Sequence, residues 1–328
     1  MIMEKTNYRI SSFQLFFLVF AYVFSGLFIY ARASLASTLL ACALAAAICI
    51  VAGHICRDFS SSLDFYGAVF GKFSGLVRFL NLAFLAFAAV RALYAFSLGI
   101  CAYYKGANAA LVFLICVFLA AFSVFRRFSP AARFAELSAF AVFAIILLCF
   151  LGRGGEVSLS FSADDVLLSF DALGSATVIF SLYLRAVTSE DASMSDFARN
   201  GGKHPSPTLC GALGSVCAGA LYLFICARGG MSNILLLLFA WMICIAGFFA
   251  SAVCASDVLG VPECKKGKTA QKAVLFAALC AAGLLSRRLA PEYLWVEVSG
   301  VYNVILFGAL FVLVFVGERR KIHAGSKR

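Results

Sequence analysis

The sequence has few charged residues. Only 13% of its 328 residues are Asp, Glu, Lys or Arg, whereas 63% are hydrophobic and 15% aromatic, and the mean hydropathy is +0.98. Soluble domains contain about 25% charged and about 45–50% apolar residues. This composition excludes a soluble enzyme built around one core and predicts a membrane protein. Since one span needs about 20 residues, the chain has room for about ten helices and for no large domain outside the membrane.

Several chemical motifs are also missing. The 13 cysteines form no Cys-x-x-Cys pair, and most lie within apolar runs, so we interpret them as small packing residues. The spacing of Cys42, Cys49 and Cys56, and that of Cys210 and Cys217, places each set near one helix face. The three histidines lie at span ends or in loops, and no Gly-Lys-Ser/Thr phosphate loop occurs. We therefore expect no metal site, no cofactor and no ATPase activity.

Apolar runs bounded by charged residues, glycine or proline mark ten candidate spans. The third is long enough to tilt or to end in an interfacial turn, and the ninth is short. The amphipathic, Ser-rich segment 58–72 predicts a helix that lies on the membrane surface. The ten spans are 13–31, 33–55, 74–104, 107–125, 132–151, 166–187, 207–227, 231–256, 272–286 and 293–317.

The distribution of Lys and Arg indicates the orientation of the chain. With the N-terminus in the cytoplasm, 20 of the 27 basic residues fall on the cytoplasmic side, six on the other side, and Arg91 within the third span. Cytoplasmic segments of membrane proteins carry an excess of Lys and Arg. The sequence thus predicts an even number of spans with both termini in the cytoplasm. We interpret the net charge of +11 and the basic tail 318–328 as membrane-surface features and expect no nucleic-acid binding.

Small residues interrupt two spans at a similar depth. Ser25-Gly26 divides the first span, and Gly174-Ser175, followed by Thr177, divides the sixth. Such interruptions are typical of discontinuous helices in transporters, whose freed backbone groups line a cavity and bind a polar ligand. The alternative is that these small residues only allow close helix packing.

The sixth span also opens the second half of the chain. Matched interruptions in two halves predict two inverted five-helix repeats, at about 10–151 and about 166–317. We therefore predict a single all-α polytopic membrane domain over 1–328, with about ten transmembrane helices, of which helices 1 and 6 are broken.

Arg91 lies about fifteen residues into the third span. A cation at that depth costs about 2.5–3.5 kcal/mol, so it should face the bundle interior and bind a partner or ligand. The alternative is an arginine that snorkels or contacts backbone carbonyls. Tyr22, Tyr94, Tyr183 and Tyr222 could add hydroxyl groups to a central site, although tyrosines are also common at membrane interfaces. Tyr22 and Tyr94 are favoured, because Tyr22 lies one turn from Ser25 and Tyr94 lies near Arg91.

Further polar residues in the second half have two interpretations. Ser251 and Ser256 in the eighth span could coordinate a small cation, but packing is the preferred role for both. Asp171 either supplies a counter-charge near the sixth-span break or lies with Asp164 and Asp165 in water at the mouth of that span. The three aspartates resemble half of a diphosphate-magnesium site, which keeps a membrane transferase as a weaker alternative.

Short motifs along nearly the whole chain resemble those of one known family. They are Ile10-Ser11 with Gln14-Leu15, Ser25-Gly26, Gly71-Lys72-x-x-Gly75, Arg91, the glycine-centred break within 168–184 and the basic tail Arg319-Arg320-Lys321. Together they resemble the spore germination permease-like family, the B subunits of nutrient germinant receptors, within the amino acid/polyamine/organocation superfamily. The sequence departs from the superfamily pattern at Ala176, where an acid is common, and at Tyr30-Ala31-Arg32, where a proline is common.

The resemblance implies an amino acid permease-like fold of two inverted repeats, with a small-nutrient site between spans 1, 3, 6 and 8. It implies a subunit that binds a germinant, preferably an amino acid, and signals with A and C receptor subunits in the spore inner membrane. It implies no enzymatic activity. The alternative is a cation- or proton-coupled amino acid transporter that works alone.

Overall fold

The computed structural model describes part of the chain. The described residues are 10–30, 35–56, 65–67, 70–85, 108, 111–112, 115, 133–138, 176–184, 206–227, 242–243, 245–246, 254 and 305. Regular structure in these ranges is helical, and they contain no β-strand. Two helical stretches, Thr38–Cys56 and Pro207–Ala227, are long and apolar enough to cross a membrane, and Ser12–Leu27 is a shorter apolar helix.

Four α-helices carry the packing. They are α1 (Ser12–Tyr30), α2 (Leu35–Cys56), α3 (Ala176–Tyr183) and α4 (Pro207–Ala227). Helices α1, α2 and α4 coincide with the first, second and seventh predicted spans to within two residues, and α3 lies within the sixth. The helical character of these four segments is thus confirmed. The count of ten spans, and most of the two predicted repeats, concern residues outside the described ranges.

Helix α1 begins with a capping box. The Ser11 hydroxyl accepts a hydrogen bond from the Gln14 N–H at 3.1 Å, and the Gln14 Oε1 accepts one from the Ser11 N–H at 3.2 Å. The Leu15 N–H donates to the Ser11 carbonyl at 2.9 Å. Ile10 and Leu15, on either side of the cap, are both buried in the core, as in a hydrophobic staple. The motif at 10–15 therefore has a local explanation as a helix start.

Helix α4 begins at a serine followed by a proline. The Ser206 hydroxyl accepts a hydrogen bond from the Leu209 N–H at 3.2 Å, and the Ser206 carbonyl accepts one from the Cys210 N–H at 3.0 Å. Pro207 occupies the first helical position, where its missing N–H has no intrahelical partner to lose. This pair defines the start of α4.

Helix α4 packs against both α1 and α2, while α3 packs against α2 and also touches α1. Three contacts show that α2 and α4 are antiparallel: they join Cys42 to Gly219, Cys49 to Ser215, and Gly53 to Thr208. The C-terminal end of α2 therefore lies beside the N-terminal end of α4. The C-terminal end of α3 meets them there, because the Tyr183 hydroxyl donates to the first carbonyls of α4.

The outer faces of α2 and α4 are apolar. Leu209, Leu213 and Val216 on α4, and Leu39 and Ile50 on α2, are between 47% and 56% exposed. Among the described residues, the buried serines and threonines are Ser25, Thr38, Ser138, Ser181 and Ser215. A soluble helix places charged and polar residues outside, so this distribution is the reverse of the soluble pattern.

The segment that follows α2 differs from its prediction. Phe65 and Tyr66 are each only 1% exposed, and the Phe65 ring lies 4.6 Å from the Phe180 ring of α3. The buried Asn81 donates its amide N–H to the Tyr66 hydroxyl at 2.8 Å. For these residues the prediction of a helix on the membrane surface is wrong, because the aromatic side chains pack against protein and the buried hydroxyl has a polar partner.

A turn at Gly71 leads into the next helical segment. Gly71 has a φ of +50°, in the left-handed region that glycine adopts without steric cost. It opens a 3₁₀ turn, Gly71–Phe73, in which the Ser74 N–H donates to the Gly71 carbonyl, and helical residues 74–85 follow. The turn explains the first glycine of the Gly71-Lys72-x-x-Gly75 motif.

Candidate functional site

The first-span residues predicted to form a break lie in a continuous helix. Helix α1 runs through Ser25 and Gly26 without interruption. The Ser25 hydroxyl donates to the Tyr22 carbonyl of its own helix at 2.8 Å. The prediction that helix 1 is broken here is therefore wrong. A glycine costs a helix only about 1 kcal/mol relative to alanine, whereas each unsatisfied backbone group in apolar surroundings costs several.

Helix α1 still contributes polar groups to the interior. Tyr22, Ser25 and Gly26 are all buried. The Ser25 oxygen keeps acceptor capacity after donating its proton, since a hydroxyl has two lone pairs. A ligand at this helix would therefore meet side-chain oxygens, because the backbone N–H groups of a continuous helix are used within it.

Most of the other predicted site residues lie outside the described ranges. Thr177 belongs to α3, but its side chain is not among the described ones. The residues outside are Arg91, Tyr94, Gly174, Ser175, Ser251, Ser256, Asp164, Asp165 and Asp171. Their roles, including the predicted break in helix 6, stay predictions.

Three of the predicted site segments meet at α3. Helix α1 packs against α3. Cys254, which lies between Ser251 and Ser256 in the eighth predicted span, donates its thiol to the Val178 carbonyl at 4.0 Å. Val178 directly follows Thr177. Helix α3, within the sixth span, therefore contacts the first span through α1 and the eighth span through Cys254.

Tyr183, one of the tyrosines considered for a central site, instead makes a polar contact between α3 and α4 that the sequence did not predict. The Tyr183 hydroxyl lies within donating distance of the Pro207 carbonyl, at 3.2 Å, and of the Thr208 carbonyl, at 3.3 Å. A Cβ atom on Gly211 would collide with this hydroxyl, and one on Gly53 of α2 would lie 3.0 Å from the Tyr183 ring. Two glycines thus make the space that Tyr183 occupies. In the sequence, the small residues Gly211, Gly214 and Ser215 were the signal for this close approach.

Cys49 and Ser215 extend this polar contact into the bundle. The Cys49 Sγ and Ser215 Oγ lie 3.6 Å apart, and the Ser215 hydroxyl also donates to the Gly211 carbonyl at 3.1 Å. Both side chains are buried. In apolar surroundings such pairs hold helices together, so this contact is best explained as helix-helix packing.

The described cysteines are mostly packing residues. Cys42, Cys49, Cys56 and Cys210 are buried, in agreement with the sequence interpretation, but Cys217 is exposed on α4 despite its seven-residue spacing from Cys210. The seven described cysteines are free thiols. Within the described ranges, no group of three or more His, Cys, Asp or Glu side chains could hold a metal ion.

Comparisons with known proteins do not assign the chain to a family. No protein-family model matches the sequence, and no curated protein matches it. Among solved structures, the chain is similar to a manganese transporter of Eremococcus coleocola in complex with an aromatic bis-isothiourea substituted compound. The identity is 14%, the alignment covers 94% of this chain and 71% of that chain, and the TM-score is 0.37. A likeness at this level carries no argument about the fold or the function.

Proposed function

We propose that the chain is a permease-like membrane protein that binds a small nutrient inside its helix bundle. The observation that carries the proposal is the reversed polarity of α2 and α4, whose outer faces are apolar while hydroxyl groups are buried. In water, such outer faces would leave a large apolar surface exposed, whereas in a bilayer they meet lipid chains at no cost. Buried hydroxyls inside a membrane bundle supply polar contacts for helices and ligands.

The pairing of the helices supports a two-repeat arrangement. The set of helix contacts stays the same when the helices of the first half are interchanged with those of the second, α1 with α3 and α2 with α4. The α1–α4 contact then corresponds to the α2–α3 contact, and the α1–α3 and α2–α4 contacts correspond to themselves. The exchanged helices occupy predicted spans 1 and 6, and 2 and 7. This is the pairing expected of two five-helix repeats related by a pseudo-two-fold axis.

The helix contacts also agree with the predicted sidedness. The C-terminal ends of α2 and α3 and the N-terminal end of α4 meet in space. The distribution of Lys and Arg assigns all three ends to the cytoplasm. We propose on this basis that both termini are cytoplasmic.

The proposed ligand site lies where α1, α3 and the segment around Cys254 adjoin. In this proposal, Tyr22 and Ser25 of α1 supply hydroxyl groups, and the predicted site residues Thr177 and Arg91 add a further hydroxyl group and a positive charge. An amino acid fits this set because its carboxylate pairs with a guanidinium, while hydroxyl oxygens accept from its ammonium group. Since α1 is continuous, Arg91 and the sixth span, at Gly174 and Ser175, carry the recognition of the carboxylate. Ser251 and Ser256 form the candidate site for a coupled cation.

We propose more specifically that the chain is a germinant receptor subunit of the spore inner membrane that acts with A and C subunits. This proposal depends on the sequence motifs alone. Two of them, the capping box at 10–15 and the Gly71 turn, have local structural explanations that many helical proteins share. The motif around Arg91 and the sixth-span break therefore carry most of the resemblance. The second candidate is an amino acid carrier that works alone, coupled to protons or cations.

A thermal-shift screen of the purified protein tests ligand binding. Amino acids, sugars and nucleosides are added separately, and we expect an amino acid to raise the melting temperature, because a ligand at 100 times its Kd stabilises the folded state by about 2.7 kcal/mol. Arg91→Ala should abolish this shift and leave the ligand-free melting temperature unchanged. Lys72→Ala, at an exposed lysine outside the proposed site, is the control and should keep the shift. An unchanged shift in Arg91→Ala would contradict the proposed site.

Vesicles that contain only this chain distinguish the receptor from the carrier. Uptake of the labelled amino acid identified by the screen would favour the lone carrier. Binding without uptake, together with co-purification of A and C subunits, would favour the receptor.

A further inference from the structure

The helical residues 74–85 and the turn before them expose an apolar face. The opposite face meets protein, since Asn81 and Leu85 are buried and Asn81 donates to the Tyr66 hydroxyl. A polar side chain thus lies inside and large apolar side chains lie outside, so in a membrane this outer face meets lipid. Four of its side chains are between 46% and 70% exposed: Phe73, Leu76, Phe79 and Leu80.

Basic residues adjoin this face, and no acidic residue does. The exposed Lys72 lies one turn before Leu76, on the same face of the helix. Arg78 is half-buried at the edge of the face. Residues 70–85 contain no Asp or Glu. The apolar surface therefore begins beside a local excess of positive charge.

Gly75 leaves open space beside the two basic residues. Lys72 precedes it by three positions and Arg78 follows it by three, so both are its neighbours on the helix surface. A Cβ on Gly75 would meet nothing within 4 Å. Gly71 is explained by its φ of +50°, but neither backbone conformation nor packing explains the second glycine of the motif.

We propose that this surface binds an anionic phospholipid of the cytoplasmic leaflet. In the predicted orientation Lys72 is cytoplasmic, and the cytoplasmic leaflet is the one that carries anionic lipids. The lipid phosphate occupies the space at Gly75 and accepts hydrogen bonds from the Lys72 ammonium group. The acyl chains lie along Leu76, Phe79 and Leu80, which follow in the direction of the membrane interior.

The length of the exposed face suits one leaflet. From Lys72 to the exposed Ala83 the helix rises about 16 Å, and the hydrocarbon of one leaflet is about 15 Å thick. The lipid site rests on the proposed membrane orientation. It does not rest on the nutrient site, from which Lys72 is separate.

Native mass spectrometry of the purified full chain tests the lipid preference. The protein in detergent micelles is mixed with equal amounts of anionic phosphatidylglycerol and zwitterionic phosphatidylcholine that carry the same acyl chains. The ratio of the two bound lipids is recorded, and we expect phosphatidylglycerol to predominate. Lys72→Gln should lower the ratio about fivefold, the contribution of one basic residue near an anionic membrane surface.

Two further variants distinguish a bound lipid from a diffuse attraction between charges. Gly75→Leu fills the open space without changing any charge, and it should bring the ratio towards one. The matched control is Arg133→Gln, which removes an exposed basic residue that has Glu136 three positions later, and it should keep the ratio. An unchanged ratio in Lys72→Gln or in Gly75→Leu overturns the proposal, as does an equal loss in Arg133→Gln.

The lipid ratio is measured without an amino acid, so its outcome is independent of the thermal-shift screen. An absence of preference for phosphatidylglycerol, beside an amino acid-dependent shift in melting temperature, would overturn the lipid site and leave the nutrient site standing. A preference that depends on Lys72 and Gly75, in a protein that binds nothing in the screen, would do the reverse.

Discussion

Glycines on α2 and α4 determine how closely the helices approach. In a bilayer, no hydrophobic force drives one helix against another, so tight van der Waals packing of small residues has a larger share in association. Among the glycines that the structure describes, Gly214 of α4 would bring an added Cβ against the backbone of α1, 2.7 Å from the Phe16 carbonyl oxygen and 3.3 Å from the Phe20 nitrogen. Backbone atoms cannot rotate away as a side chain can, so a side chain larger than hydrogen at position 214 would be poorly tolerated.

Gly214→Ala should therefore destabilise the protein by about 1–3 kcal/mol, the usual cost of overpacking a tight contact. Gly75→Ala is the matched control, because Gly75 is also helical and a Cβ there meets nothing within 4 Å. Alanine has the higher helix propensity by about 1 kcal/mol, so this control should be neutral or slightly stabilising. The melting temperatures of the two variants in the same detergent test the difference, and equal changes would contradict the backbone contact.

At the scale of single elements, helix starts are encoded by a few neighbouring residues. Ser11 with Gln14 begins α1, and Ser206 with Pro207 begins α4. The first N–H groups of a helix have no partner within it, and a serine hydroxyl satisfies one of them. These starts depend on local sequence only.

Ser11→Ala should lower the free energy of unfolding by about 0.5–2 kcal/mol, because the Gln14 N–H loses its hydroxyl acceptor. Ser11→Asp is the matched control, since a carboxylate also accepts from this N–H and favours the positive end of the helix dipole. We expect it to retain most of the stability. Chemical denaturation of both variants, followed by circular dichroism, gives the comparison. A loss in Ser11→Asp as large as in Ser11→Ala would show that the cap contributes little.

The segment after α2 shows where a local pattern is insufficient. Its amphipathic character predicts an apolar face, but the pattern does not say whether that face meets lipid or protein. In the structure, Phe65 meets Phe180 of α3, which is more than a hundred positions away in the chain. The surface helix was therefore the wrong prediction for the described part of 58–72, although the apolar face itself was correctly recognised.

At the scale of the whole molecule, the polarity of the outer faces is the central feature. The exposed face of α4 presents leucine, valine and other apolar residues along its length. Leu209 and Val216 are almost equally exposed, at 53% and 52%, but Leu209 is in the first turn of α4 and Val216 is near its middle. In water, the two positions would be equally solvated. In a bilayer, the middle of a span lies in the hydrocarbon core, whereas its first turn lies near the headgroups.

Val216→Lys should make the free energy of membrane insertion less favourable by about 2.5–3.5 kcal/mol, the cost of a charge at the centre of a span, and so reduce folding. Leu209→Lys should cost much less, because a lysine at a helix end extends its ammonium group to the headgroups. The fraction of each variant recovered folded from membranes measures the difference. Equal recovery of the two variants would argue against a bilayer around α4.

Helix positions and the membrane class could be derived from the sequence alone, because both depend on local properties. Apolar runs bounded by charges and glycine predicted α1, α2 and α4 to within two residues, and the low charge content indicated a lipid environment. The distribution of Lys and Arg predicted the orientation on the same local basis. The candidate site was predicted only as a set of residue types, and most of those residues lie outside the described ranges.

Only the tertiary structure decided how the local pieces are used. It showed that Ser25 is accommodated in a continuous α1, that Phe65 is buried against α3, and that Tyr183 reaches the start of α4. The sequence pattern could not decide these points because each depends on which surfaces meet. Packing between residues far apart in the chain determines whether a small residue breaks a helix or joins two, and whether an aromatic face meets lipid or protein.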